Sequence, residues 1–165
     1  MIVYHGTILK IQNPEIIKNE IGRDFGYAFY TTDIKEQSER WAIRKSKIEN
    51  RKSDKLCVPM INVYEWDNTA VGLSMKVLDG VSLEWLDMVV NCRSDITFVH
   101  PHDIVIGKIA NDNVGETVSY VMQKIMRKED AIVRLKFERI NNQIAFCTKK
   151  ALNTLTFVES YIVRS

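Results

Sequence analysis

Ten consecutive residues between Asp24 and Asp33 constrain the fold of this chain more than any other stretch. They read Asp-Phe-Gly-Tyr-Ala-Phe-Tyr-Thr-Thr-Asp. Gly26 permits a backbone turn that residues with a Cβ atom resist, and residues 27–31 favour a short strand because most of them are aromatic or β-branched. Asp33, with Glu36 three positions later, forms the Asp variant of a capping box. The stretch therefore predicts a turn, a strand and the start of a helix in succession.

The rest of the chain alternates irregularly between strand and helix patterns. We predict strands at residues 2–5, 27–31, 56–66, 72–78, 103–107, 143–148 and 155–163, and helices at 33–47, 82–90, 114–140 (one or two helices) and 149–152. Ser82 is placed to cap the second of these helices. Because helices are inserted irregularly among the strands, the pattern favours an α+β fold over a doubly wound parallel sheet.

Composition limits the class of protein. The chain has 165 residues, of which 45% are hydrophobic and 27% charged, so we predict a single domain over residues 1–165. A net charge of +2 is too small to indicate a nucleic-acid partner. The three cysteines, Cys57, Cys92 and Cys147, lack a C-x-x-C spacing, which argues against a disulfide framework or a zinc site. Without a signal-peptide pattern or an apolar run of about 20 residues, we expect a cytoplasmic protein with no membrane partner, unless another system exports it.

The first candidate for chemistry is Tyr4-His5-Gly6-Thr7, directly after the apolar start. A histidine at a strand end can hydrogen-bond a sugar hydroxyl through a ring nitrogen. Gly6 lets backbone groups approach a flat amide such as the carboxamide of nicotinamide. The alternative for His5 is a histidine in an ordinary turn.

Tyr30 adds an aromatic face. A flat cationic ring that stacks on a tyrosine gains on the order of 0.5–2 kcal/mol. The alternative is a core position, and strand alternation means that one of Phe29 and Tyr30 faces the core.

Together, Tyr-His-Gly-Thr and the segment Gly26-x-x-Phe29-Tyr30-Thr31-Thr32 resemble the first two motifs of the ADP-ribosyltransferase superfamily, in the His-Tyr-Glu branch of poly(ADP-ribose) polymerase and diphtheria toxin. The resemblance spans residues 4–148. It implies an ADP-ribosyltransferase-like α+β fold, in which two small antiparallel sheets with flanking helices form a cleft for NAD. NAD would be the substrate, and no metal is implied.

The resemblance also assigns roles to individual residues. Trp41, eleven positions after Tyr30, matches a second aromatic that sandwiches the nicotinamide ring, and Ser38 matches a hydroxyl residue three positions before it. The alternative for Trp41 is the core, where a helical tryptophan usually lies. His5 would hold the adenosine-side ribose and Gly6 the carboxamide. The implied cofactor-binding residues are His5, Gly6, Thr7, Tyr30, Ser38 and Trp41.

The third motif departs from the superfamily. Gln143, at the start of a late strand, stands where the superfamily usually carries its catalytic glutamate. A carboxylate there hydrogen-bonds a ribose hydroxyl and favours the positive charge of an oxocarbenium-like transition state. Glutamine can do only the first and cannot act as a general base, so we expect transfer of a single ADP-ribose rather than chain elongation. Glu138 is a candidate substitute carboxylate. The implied catalytic set is His5, Tyr30 and Gln143.

More closely, the chain resembles a bacterial family with Tyr-His-Gly-Thr, Asp-Phe-Gly-x-Gly-Phe-Tyr-x-Thr and a central Asp-Ile-x-Ile-Gly followed by Ala-Asp-Asp. The central motif is present at residues 103–107, whereas Ala28 replaces a glycine and Asn111 replaces one acid. Members of that family look like toxins or defence effectors encoded beside a small partner. The resemblance thus implies a protein or RNA acceptor and a small antitoxin or immunity partner.

Other residues carry weaker candidates. His100 and His102 with Asp103 have a metal-ligand pattern, but a loop with solvated histidines explains them better. None of the cysteines has a local nucleophile signature. The basic stretch from Arg44 to Lys55 is either a solvated loop or a contact to nucleic acid or pyrophosphate.

The resulting functional prediction is a mono-ADP-ribosyltransferase that modifies a macromolecule. Two alternatives remain open. In a non-catalytic NAD-binding or interaction module, the missing carboxylate reflects lost turnover. In an NAD glycohydrolase, water replaces the acceptor.

Overall fold

The computed structural model describes residues 1–18, 23–52, 56–110, 112–136 and 141–164. The strands are β1 (Ile2–Thr7), β2 (Phe29–Thr31), β3 (Met60–Trp66), β4 (Met75–Val77), β5 (Ile104–Lys108), β6 (Asn142–Phe146) and β7 (Leu155–Ile162). The helices are α1 (Lys35–Lys52), α2 (Leu83–Ser94), α3 (Asp112–Met122), α4 (Lys128–Leu135) and α5 (Lys149–Leu152).

The strands form two small sheets. The first sheet has the order β1-β3-β7, and both of its pairings are antiparallel. The second sheet has the order β2-β6-β5-β4, and its edge strand β4 is parallel to β5. The α+β class is therefore confirmed, whereas the expectation of two purely antiparallel sheets is wrong for the second sheet. A single bridge between Tyr4 and Thr32 joins the facing edges of β1 and β2.

Apolar side chains fill three layers. Val3 and Tyr64 of the first sheet pack with Phe29, Ile144 and other residues of the second sheet, so the two sheets lie face to face. The opposite face of the second sheet is covered by α2, α3 and α4. Helix α1 packs through Ala42 on the outer face of the first sheet.

Most predicted elements are present with shifted ends. Ser82 caps α2, as predicted, because its hydroxyl accepts a hydrogen bond from the Trp85 amide at 3.1 Å. Helix α1 begins at Lys35, after the predicted start at Asp33, and the Thr32 hydroxyl accepts from the Ile34 amide at 3.1 Å. It also continues beyond residue 47, so the described part of the basic stretch is helical rather than a loop.

The region from 114 to 140 forms two helices in its described part. None of the helices in the described ranges combines the length and apolar character that crossing a bilayer requires.

Candidate functional site

The imidazole of His5 lies where β1 and β2 separate. Tyr4 exchanges both of its backbone hydrogen bonds with Thr32, at 2.8 and 3.0 Å. Two residues further along β2, the Tyr30 carbonyl points to the same side, because backbone groups of alternate residues share one edge of a strand. That carbonyl accepts a 2.7 Å hydrogen bond from Nδ1 of His5 instead of a backbone N–H of β1. The side chain of His5 thus takes the place of the next backbone hydrogen bond between the two strands.

This hydrogen bond defines the state of His5. Because a carbonyl only accepts, Nδ1 carries the proton, and Nε2 is the acceptor atom of a neutral ring. Burial is the main reason that the pKa of His5 is lowered to about 4; the Tyr30 carbonyl opposes the shift, and the charges of Lys45 and Arg23 add to it. The ring is therefore neutral at pH 7.

Gly6 is buried, and its backbone groups point towards β2. In the antiparallel register, Tyr4 and Gly6 direct their backbone groups away from β3, whereas Val3, His5 and Thr7 bond to β3. With the Tyr30 carbonyl bonded to His5, the N–H and C=O of Gly6 line an edge of β1 that β2 does not pair. Thr7 is buried and pairs with Met60, so its backbone does not share this edge.

Helix α1 packs directly on Gly6. A Cβ atom at position 6 would lie 2.2 Å from the carbonyl oxygen of Ser38 and 3.1 Å from the amide nitrogen of Ala42. Ser38 is buried, and its hydroxyl donates to the Lys35 carbonyl at 2.7 Å, so its side chain is bonded within the helix. The glycine at position 6 is required by this packing, whether or not a ligand binds there.

Trp41 lies on the same helix, three residues after Ser38. It is 47% exposed, so the alternative of a core tryptophan is wrong. Because residues three apart on a helix are neighbours, Trp41 flanks the contact between α1 and Gly6. The exposed Trp41 ring, one residue before the Ala42 amide that packs on Gly6, is a surface on which a flat ligand can stack.

Tyr30 and Gln143 lie on the helix-covered face of the second sheet. Tyr30 is opposite Ala145, and Gln143 precedes Ala145 by two residues, so Tyr30 and Gln143 are diagonal neighbours on one face. Phe29 points to the other face, and its ring stacks on His5 with centroids 4.3 Å apart. His5 therefore does not share the face of Tyr30 and Gln143; it meets Tyr30 only through the backbone carbonyl.

The side chain of Tyr30 is tied to the turn that precedes β2. Its hydroxyl donates to the Gly26 carbonyl at 2.7 Å and accepts from the Phe25 amide at 3.0 Å. Burial holds the pKa of the Tyr30 phenol well above its usual value, so the phenol is neutral. The guanidinium of Arg23 lies 5.7 Å from the centroid of the ring, so a cation already faces this tyrosine.

Gln143 belongs to a buried polar network. Its amide nitrogen donates to Asp24 at 2.8 Å, and the two residues are only 8% and 6% exposed. Asp24 also accepts from Arg93 through Nε at 2.9 Å and from the backbone amide of Ala110 at 2.8 Å. Arg93 donates in turn to the Ala110 carbonyl at 2.8 Å. The network joins the turn before β2 to α2, to the segment between β5 and α3, and to β6.

Sequence reasoning gave no role to Asp24 or Arg93. Asp24 opens the most informative stretch of the chain, but its partners lie 69 and 119 residues further on. Arg93 lies in the last turn of α2. Cations are common at this position because they interact favourably with the negative end of the helix dipole. No local pattern predicts that the two residues pair.

The weaker candidates have structural explanations. His100 uses both ring nitrogens, since Nε2 bonds the Phe25 carbonyl at 2.9 Å and Nδ1 accepts from the His102 amide at 3.3 Å. In the described ranges, no group of three or more potential ligands is arranged to hold a metal ion. The three cysteines are free thiols. Burial raises the pKa values of Cys92 and Cys147 to about 12, so both thiols are poor nucleophiles.

Two candidates lie wholly or partly outside the described residues. Glu138 is one, and the end of the basic stretch, including Lys55, is the other. Within the described part of that stretch, Arg44, Lys47, Arg51 and Lys52 are exposed on α1. Lys45 is half-buried, and burial and the charge of Arg23 lower its pKa.

Comparison with known proteins gives one match. No curated protein and no solved structure is significantly similar to this chain. The sequence profile of the family described as "Protein of unknown function (DUF3990)" matches residues 1–157, nearly the whole chain. The chain therefore belongs to the DUF3990 family.

Proposed function

We propose that the protein binds NAD at the opening between β1 and β2 and transfers a single ADP-ribose to a protein or RNA acceptor. One observation carries the proposal. The Tyr30 carbonyl is bonded to the side chain of His5, so the N–H and C=O of Gly6, which point away from β3, are not bonded to that carbonyl. A primary carboxamide, which has one donor face and one acceptor face, is the complement of this N–H and C=O pair.

The surrounding residues suit the other parts of NAD. Trp41, exposed beside Gly6, would stack on the cationic nicotinamide ring, with Tyr30 as a second aromatic surface. His5 lies on the other side of β2 and has Nε2 as an acceptor for a hydroxyl of the adenosine ribose. NAD is a two-ended molecule, so residues on opposite sides of β2 can contact different parts of one ligand.

The chemistry requires cleavage of one bond and formation of another. The bond between nicotinamide and C1′ of its ribose breaks, nicotinamide leaves with the electron pair, and a nucleophile of the acceptor bonds to C1′ and loses a proton. The carboxamide oxygen of Gln143 would accept a hydrogen bond from a ribose hydroxyl. Because Gln143 is neutral and is no base, it does not activate a second ADP-ribose as a nucleophile, and a single transfer is expected.

The Asp24 network favours a second candidate, a module that binds NAD without turnover. The only polar hydrogens of the Gln143 side chain belong to an amide nitrogen that is bonded to Asp24. Asp24 is the nearest buried carboxylate, but its charge is compensated by Arg93. Both features reduce the stabilisation available to a developing positive charge. Hydrolysis of NAD by water is a third candidate.

A single set of assays separates these functions. Wild-type protein is incubated with NAD labelled in the adenosine ribose, with total bacterial protein and RNA present or absent. We expect release of nicotinamide together with label on one acceptor class. Release without acceptor label indicates hydrolysis, and binding without release indicates the module. No binding of NAD by calorimetry would contradict all three functions.

The variant Trp41→Ala tests the site. We expect it to weaken NAD binding by about fivefold, because an exposed stacking contact on a cation is worth about 1 kcal/mol. Ile48→Ala is the matched control, since Ile48 is an exposed apolar residue two turns further along the same helix. Equal affinities of the two variants would remove Trp41 from the site.

A further inference from the structure

The carboxylate of Asp24 has no hydrogen-bonding capacity left for a ligand. One oxygen accepts two hydrogen bonds from Arg93, through Nε at 2.9 Å and Nη2 at 2.5 Å. The other oxygen accepts from the Ala110 amide and from the Gln143 amide nitrogen, both at 2.8 Å. A carboxylate has about four acceptor positions, and all of them are used. Asp24 therefore acts on other residues of the chain rather than on a ligand.

The same contacts dictate what can stand at position 143. The oxygen of Asp24 that faces β6 requires a donor, and the –NH₂ group of Gln143 supplies it. An ionised glutamate has only acceptors and would bring a second negative charge next to Asp24. Because the nitrogen of the carboxamide points at Asp24, the oxygen on the same carbon points away from it.

We propose that Asp24 is a positioning residue that holds the carboxamide of Gln143 with its oxygen towards the ligand, and so selects glutamine at this position. The ligand class is one that presents a hydroxyl donor; under the proposed function, on which this identification rests, the donor is a hydroxyl of the nicotinamide ribose. Arg93 acts behind Asp24, because its two hydrogen bonds fix the plane of the carboxylate.

Asp24→Asn reverses the polarity of the contact. Arg93 presents only donors, so the single oxygen of the new amide must face Arg93 and its nitrogen must face Gln143. Two –NH₂ groups then oppose each other, and Gln143 turns its carboxamide so that the oxygen meets the new donor. Its nitrogen would then face the ligand, where an acceptor is needed.

Gln143→Glu in the Asp24→Asn background restores the match. The new amide nitrogen donates to one oxygen of the new carboxylate, and the second oxygen takes the place of the original carboxamide oxygen. The double change also keeps the total charge of the network. The loss of the acceptor for the Ala110 amide is common to Asp24→Asn and the double variant, so it cancels between them.

The test is a double-mutant cycle with two readouts, thermal unfolding and NAD binding by calorimetry. We expect each single variant to lower Tm by roughly 5 °C and to weaken NAD binding by about tenfold or more. The double variant should melt above Asp24→Asn and bind NAD at least about tenfold more tightly than that variant. A residue that only supports the fold would show no such recovery of binding.

Two matched controls use exposed residues. Asp130→Asn removes an exposed Asp–Arg pair with Arg127, and Gln123→Glu removes an exposed amide donor to Ser119. Neither should change NAD binding, and their effects on Tm should add.

The outcomes distinguish this inference from the proposed function. If the losses of Tm caused by Asp24→Asn and Gln143→Glu add up in the double variant, the inference is wrong, whether or not the protein binds NAD. If the double variant recovers Tm but not NAD binding, the Gln143 oxygen does not face the ligand. Wild-type protein that binds no NAD overturns the proposed function, and the Tm cycle still decides whether Asp24 selects glutamine.

Discussion

At the scale of single residues, the site depends on atoms whose roles are fixed by their partners. The Tyr30 carbonyl decides which nitrogen of His5 carries the proton, and Asp24 decides which way the carboxamide of Gln143 points. In both cases an acceptor elsewhere in the chain binds the donor atom of the side chain, so the acceptor atom of that side chain points the other way. Nε2 of His5 and the oxygen of Gln143 are then both suited to hydroxyl groups.

The low pKa of His5 makes stability depend on pH. The imidazole has a pKa of about 4 in the folded protein against 6.5 for the free side chain. Between these values the unfolded chain binds more protons than the folded one, so the free energy of unfolding falls as the pH falls through this window and is unaffected by His5 above it. We expect a loss of about 2 kcal/mol, less than the full shift because the ring is partly exposed.

His5→Gln isolates this contribution, because a glutamine amide can donate to the Tyr30 carbonyl but does not titrate. Urea unfolding of both proteins at pH 4.5, 5.5 and 7.5 gives the difference. Relative to His5→Gln, the wild-type protein should gain about 2 kcal/mol in free energy of unfolding when the pH is raised from 4.5 to 7.5. A constant difference between the two proteins would show that His5 is not buried as a neutral ring.

At the scale of elements, the close approach of α1 to β1 is what places Ser38 and Trp41 next to Gly6. Gly6→Ala would put a methyl group 2.2 Å from the Ser38 carbonyl oxygen, so the helix must move away from the strand. We expect a loss of about 2 kcal/mol or more in the free energy of unfolding, typical of overpacking. Denaturant unfolding measures it.

The control for this prediction is Ser38→Ala. It removes the hydroxyl but leaves the carbonyl in place, so it should not rescue Gly6→Ala. Recovery of stability in the double variant would show that the side chain of Ser38, rather than the helix backbone, causes the conflict.

The sequence predicts these elements well where the signal is local. The Ser82 cap, the helical region after residue 112 and the short turn of helix at 149–152 follow from capping residues and apolar spacing, although the sequence left open whether that region forms one helix or two. The start of α1 was misplaced because the Thr32 hydroxyl takes the role predicted for Asp33. The Asp24–Arg93–Gln143 network could not be predicted, because it joins residues that are far apart in sequence and carry no shared pattern.

At the scale of the whole molecule, the two sheets share one apolar core. Phe146 is fully buried there, and its ring meets Trp66 edge to face with centroids 5.4 Å apart. Since β6 carries Gln143 on its other face, one strand serves both the inter-sheet core and the polar network.

Phe146→Ala should therefore lower the free energy of unfolding by about 3–5 kcal/mol, the usual cost of deleting a buried phenylalanine. Val158→Ala, an exposed change on the edge strand β7, should cost less than about 0.5 kcal/mol. Thermal and urea unfolding of both variants check these values. Equal effects would mean that the sheets do not share one core.

The four hydrogen bonds of Asp24 also restrict how this sequence can change over time. Glutamine and glutamate codons differ by a single base, so a glutamate at position 143 is one mutation away. That mutation would bring two carboxylates together in a buried place, and selection against the loss of stability would remove it. A glutamate becomes acceptable only after Asp24 has changed, so the order of the two substitutions, rather than their number, decides whether this sequence can acquire it.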